Sequence, residues 1–161
     1  MGLDTTHDCW HGAYSAFMRW RTAVAKAAGI PLLLMDGFHR CPEPLAMEWA
    51  EKQKGETYWA TALHRWCKEV DGLLPLSWDL YKGDPIVTLL SHSDCDGHIL
   101  PQDCGPLADR LDGLLPALEK MDRDEDSGGH VARGGGYAGC ARTFVAGLRH
   151  ASSLCERVEF H

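Results

Sequence analysis

Between Asp8 and Ala28 the apolar positions Trp10, Tyr14, Phe17, Met18, Trp20, Ala23 and Val24 recur at helical spacing. That predicts an amphipathic helix over 8–28, with Asp8 as N-cap and Gly29 as its stop. Residues 31–35 read as a short buried strand, followed by a turn at Asp36-Gly37 and a loop marked by Pro42 and Pro44. Leu45, Trp49 and Lys52 suggest a helix over 44–53, broken by Gly55, and Trp59, Leu63, Trp66, Cys67 and Val70 a stronger one over 56–70. After a loop over 72–84, the run Pro85–Leu90 is β-branched and apolar on both faces, as a central strand covered on both sides would be. Leu107, Leu111, Leu114, Leu115 and Leu118 line a helix over 103–120, with Pro116 a point expected to kink or split it. Residues 122–137 carry a charged run and a glycine-rich loop. Phe144, Leu148 and Ala151 then give a last helix over 138–153, and Arg157–Phe160 a terminal strand.

The order implies a helix-rich α+β fold: a small central sheet of three or four short strands wrapped by five or six helices. With 161 residues, 45% of them hydrophobic, the chain is expected to form a single compact domain over 1–161. Its 16 Lys and Arg against 23 Asp and Glu leave a net charge of −7, which disfavours non-specific binding to a nucleic-acid backbone. No apolar run approaches the ~18 residues of a membrane helix. The first residues lack the basic and apolar regions of a leader, so the expected setting is cytoplasmic, with no membrane partner. The seven cysteines are odd in number and none are spaced C-x-x-C, so they read as reduced thiols. Cys67, Cys140 and Cys155 fall in helical patterns, as small core residues do.

Two segments carry candidate chemistry. The first is His92-Ser93-Asp94-Cys95-Asp96-Gly97, at the end of the expected central strand. Acids at a strand end project into a crevice and can hold a divalent cation. The segment also mimics a calcium loop, with Gly97 at the sixth position and Asp103 at the twelfth, but it begins with His92 and ends in Asp instead of Glu. A plainer alternative is a tight turn in which Asp94 and Asp96 bond the backbone and Asp103 caps the next helix. A second polar cluster, Asp4, His7 and His11, lies at the N-terminus, and His7 and His11 would share a face if the helix began by residue 7. Together Asp4, His7, His11, His92, Asp94 and Asp96 supply enough nitrogen and oxygen for a divalent metal such as Zn, Mn, Mg or Ca.

The second segment is the loop from Ser127 to Gly139. Its glycines, Gly134, Gly135 and Gly136 among them, would let backbone N–H groups approach an anion at a helix N-terminus. His130, Arg133 and Arg142 could pair with phosphate oxygens, and Tyr137 could stack on a base. It lacks both the Gly-Lys-Ser/Thr of a Walker loop and a G-x-G-x-x-G after a strand, and a solvated surface loop is the plainer alternative. Trp49, Trp59 and Trp66 read as core. Trp10 and Trp78 are candidates to wall a pocket that stacks a purine.

The strand-end motif Ser91-His92-Ser93-Asp94-Cys95-Asp96-Gly97 resembles the first metal motif of the DHH phosphoesterases, whose Asp-His-His motif this chain lacks. The N-terminal stretch Gly2–Phe17, the 92–97 segment and the ending Phe144, Gly147, Leu148, Val158, Glu159 and Phe160 resemble a family of small proteins of actinobacteria and their phages. That resemblance implies a cytoplasmic phage-type protein that counters host defence by sequestering or cleaving nucleotide signals. The leading expectation is a binding protein for a nucleotide or other small phosphorylated molecule. The alternatives are a divalent-metal-dependent phosphoesterase and an inhibitor of another protein that uses the acidic run Asp122–Asp126.

Overall fold

The computed structural model describes residues 2–32, 35–38, 76–92 and 97–161. They fall into two units, Met1–Ile30 with Gly83–His161, and Pro31–Lys82. The helices expected over 44–53 and 56–70 lie outside the described residues.

The larger unit opens with a hairpin. β1 (Gly2–Asp4) pairs antiparallel with β2 (His11–Ala13), Leu3 opposite Gly12 and Asp4 opposite His11. The intervening loop is closed by Thr5, whose Oγ1 accepts from Trp10 N at 2.7 Å while its own N–H donates to Trp10 O at 3.0 Å. His7 and Asp8 within it take left-handed backbone angles, φ 59° and 55°. The first helix therefore begins at Tyr14, not near Asp8: α1 is Tyr14–Ala28, and Gly29 ends it with φ 73°. A left-handed C-terminal residue is the usual place for glycine.

The stretch expected to be the central strand is instead a short helix, α2 (Ile86–Leu90). Pro85 already has helical angles, and the Asp84 carboxylate accepts the Ile86 N–H at 3.0 Å. Ile86, Leu89 and Leu90 are buried, which is helical spacing, so burying one stripe prevailed over β-branched composition. No central sheet forms among the described residues. β3 (Gly97–Ile99) pairs with β4 (Val158–Phe160), and a single bridge from Thr5 to Phe160 links this ribbon to the hairpin.

Two long helices carry the core. α3 (Pro101–Asp124) holds Pro106 and Pro116 without breaking, and α5 (Gly136–Leu154) runs antiparallel beside it. Their solvent side is laced by Arg142 to Glu119 and by Arg149 to Asp112 and Asp109. A five-residue helix, α4 (Gly129–Arg133), forms within the stretch expected to be loop. Phe17, Trp20 and Phe144 are fully buried and in contact, Trp20 to Phe144 at 5.0 Å between centroids. Arg21 is buried with them. It donates to the Leu90 and His92 carbonyls, at 2.5 and 2.7 Å, and so ties down the end of α2.

In the smaller unit, where a strand is expected over 31–35, Leu32 instead lies in a 3₁₀ turn, its carbonyl accepting the Met35 N–H at 3.0 Å, and Met35 makes one isolated bridge to Leu76. A 3₁₀ turn, Trp78–Tyr81, follows Ser77, whose hydroxyl accepts the Asp79 N–H. Trp78 donates its indole N–H to Asp36 O at 3.0 Å and meets Phe38 edge-on.

Candidate functional site

The glycine-rich loop does reach a helix N-terminus, that of α5, but an anion from the chain itself sits there. The Asp122 carboxylate accepts the Tyr137 and Ala138 N–H groups at 2.6 and 2.9 Å. Gly136, at φ 81°, permits this approach, since a Cβ there would lie 2.7 Å from Asp122 Oδ2. The orphan amides that would have received a phosphate are thus bonded to a carboxylate. The Gly134 N–H donates to the His130 and Val131 carbonyls and the Gly135 N–H to Ala132 O. A Cβ on Gly139 would strike Gly134 O. Gly134, Gly135 and Gly136 therefore let α4 and α5 meet at a tight corner.

The other expected ligand residues separate by burial. Tyr137 is 6% exposed, and its carbonyl accepts the Trp20 indole N–H at 3.2 Å. Burial pushes its hydroxyl pKa up, helped by Glu125 and opposed by Arg19. No face of that ring is open to a base. Arg142 is committed to Glu119. Trp10 is buried with its ring 5.5 Å from Trp20 and 5.0 Å from Phe17. Trp78 belongs to the smaller unit. His130 and Arg133 are exposed on α4.

Arg19, which the sequence pattern did not single out, lies beside the residues that precede α4. From α1 its guanidinium lies over Gly128, where a Cβ would be 2.7 Å from Nη1, and it donates to Ser127 O at 3.0 Å. Among the described residues Arg19 and Arg133 have no carboxylate partner, whereas Arg110, Arg142, Arg149 and Arg157 each have one. Arg123 also has none, but it occupies the last turn of α3, where a cation offsets the helix dipole.

The metal candidates are divided. Asp4 and His11 pair with each other across the hairpin, and both are exposed. His7 turns the other way, its Nε2 3.3 Å from Glu156 and its ring edge-on to His150 at 5.4 Å. The His92 ring packs at a tilt against Phe160, 4.3 Å between centroids, and abuts Gly97, where a Cβ would lie 2.7 Å from His92 Nε2. Asp94 and Asp96 lie outside the described residues. Asp103 is in the first turn of α3, which starts after Leu100 with no side-chain cap. Among the described residues no three His, Cys, Asp or Glu side chains converge to hold a metal ion.

No protein-family profile matches the chain, and no curated protein or solved structure matches it significantly. No described helix is long and apolar enough to cross a membrane.

Proposed function

We propose that the chain binds a small phosphorylated molecule on the face formed by Arg19, His130 and Arg133. The observation that carries this reading is the pair of arginines without carboxylate partners beside the Ser127–Arg133 segment, in a chain with a surplus of acids. Of the six exposed arginines described, Arg142, Arg149 and Arg157 pair with a carboxylate and Arg19, Arg123 and Arg133 do not; only Arg19 and Arg133 border this segment. A cation left open can make charge-assisted hydrogen bonds to phosphate oxygens. His130 adds a ring nitrogen, and Gly128 keeps the backbone low enough for Arg19 to lie across it. The site is exposed, so its affinity should fall as salt rises. Titration calorimetry with pyrophosphate, AMP and a cyclic dinucleotide tests it: saturable binding of at least one is expected. Absence of heat with all three at low salt overturns the reading.

A further inference from the structure

Trp10 is 6% exposed, and its indole N–H is buried with no hydrogen-bond partner in the structure. Buried donors are almost always satisfied, so an orphan calls for an acceptor supplied from elsewhere. The ring itself has no room for a ligand, since Trp20 stacks on it and Phe17 meets it edge-on. Only the N–H edge is uncommitted. It faces Gly12 of β2, where a Cβ would lie 3.6 Å from the indole nitrogen and 3.8 Å from His130 Nδ1. Glycine at this position thus keeps any side chain out of the space between an indole donor and an imidazole nitrogen. His130 is exposed and its imidazole makes no hydrogen bond among the described residues, so the ring can turn aside. Arg133 follows three positions later on α4, on the same side of that short helix.

We infer that the Trp10 N–H and the His130 imidazole form a subsite, beneath Gly12, for a phosphoryl oxygen of the bound molecule. The inference rests on the proposed phosphate-binding face and assigns Trp10 a role as a hydrogen-bond donor, not a stacking platform. The ligand oxygen replaces the missing acceptor, and the arginines carry the charge.

Indole ¹H–¹⁵N correlation spectra test this directly, with inorganic phosphate, pyrophosphate and AMP as probes and calorimetry on the same samples. The Trp10 cross-peak is assigned by its loss in Trp10→Phe or, if that variant does not fold, by through-space contacts to Phe17 and Trp20. The expected result is a saturable shift of the Trp10 cross-peak, larger than that of the other five tryptophans, with a midpoint matching the calorimetric one. His130→Ala should weaken binding about tenfold, the loss of one good hydrogen bond to a charged group. Heat of binding with a stationary Trp10 cross-peak overturns the subsite and leaves the phosphate-binding face standing. A Trp10 shift on His130→Ala without any probe, as large as the ligand produces, also overturns the subsite, because the donor is then satisfied internally. Absence of heat with every probe overturns both.

Discussion

Asp122→Ala removes one carboxylate and, with it, the partner of two amides in the first turn of α5. A helix cap is worth ~0.5–2 kcal/mol, and a negative charge near a helix N-terminus adds ~0.3–1 kcal/mol. Both amides are partly buried and α5 packs along the length of α3, so solvent replaces the lost bonds only in part. The expected destabilisation is about 2–3 kcal/mol for Asp122→Ala and about 1 kcal/mol for Asp122→Asn, which keeps one acceptor oxygen but loses the charge. At ~2–4 °C per kcal/mol for a chain of this size, the alanine variant should melt roughly 4–12 °C lower. Gly136→Ala should act on the same contact, because its Cβ would displace the carboxylate. The double variant should therefore cost clearly less than the two single losses added together. Urea unfolding followed by circular dichroism measures the four variants against wild type. An Asp122→Ala variant within about 0.5 kcal/mol of wild type would refute the assignment of Asp122 as the α5 cap.

Two further outcomes follow from ionisation and burial. Burial alone would raise the Asp84 pKa, but the Arg110 guanidinium and the Ile86 N–H outweigh it, so the carboxyl sits below its ordinary value. A lowered folded pKa gives stability present above the unfolded value of ~3.9 and lost as pH falls through the folded value. The gap in urea midpoint between wild type and Asp84→Asn should therefore be level above about pH 5 and close below about pH 4; a gap that persists to pH 2 contradicts this. Among Cys9, Cys104, Cys140 and Cys155, only Cys155 is exposed. Burial pushes the Cys9 thiol up to about 12, with Cys104 adding to it, and the Cys140 thiol up to about 11. Iodoacetamide at pH ~8 should label Cys155 first among these four by peptide mass mapping, since the thiolate is the reactive form; equal labelling of Cys9 in the folded protein contradicts the described core.

The helical parts of the fold were legible where apolar periodicity was long. Leu107, Leu111, Leu114 and Leu118 announced α3, and Phe144, Leu148 and Ala151 announced α5. Short runs misled. Pro85–Leu90 reads as a strand by composition, although Ile86, Leu89 and Leu90 already held helical spacing. The start of α1 was obscured because Trp10, which fits the helical pattern, is buried from a β-strand approach instead. Cys155 follows the helical pattern too, yet it is exposed in the left-handed turn that ends α5. The glycine-rich loop was expected to let backbone amides approach a ligand anion, and in the structure those of Tyr137 and Ala138 are bonded to Asp122. Which group approaches was not legible, because Asp122 lies fourteen residues ahead of Gly136 and only the α3–α5 pairing brings it there. Arg19 escaped notice for the same reason: one arginine on the polar face of a helix carries no local signal, and its position over Gly128 depends on packing.

Calorimetric titration of pyrophosphate and AMP into wild type, Arg133→Ala and Arg142→Ala tests the central claim most directly. Arg133 has no carboxylate partner among the described residues, while Arg142 is held by Glu119 beside an α5 N-terminus that Asp122 already fills. Loss of a hydrogen bond to a charged group, ~1.5–3 kcal/mol, predicts that Arg133→Ala weakens binding by about 10- to 100-fold. Arg142→Ala should leave affinity within about twofold of wild type, since an exposed, paired arginine contributes little elsewhere. The reverse pattern, with Arg142→Ala abolishing binding and Arg133→Ala leaving it intact, would place the anion at the α5 N-terminus and contradict the account.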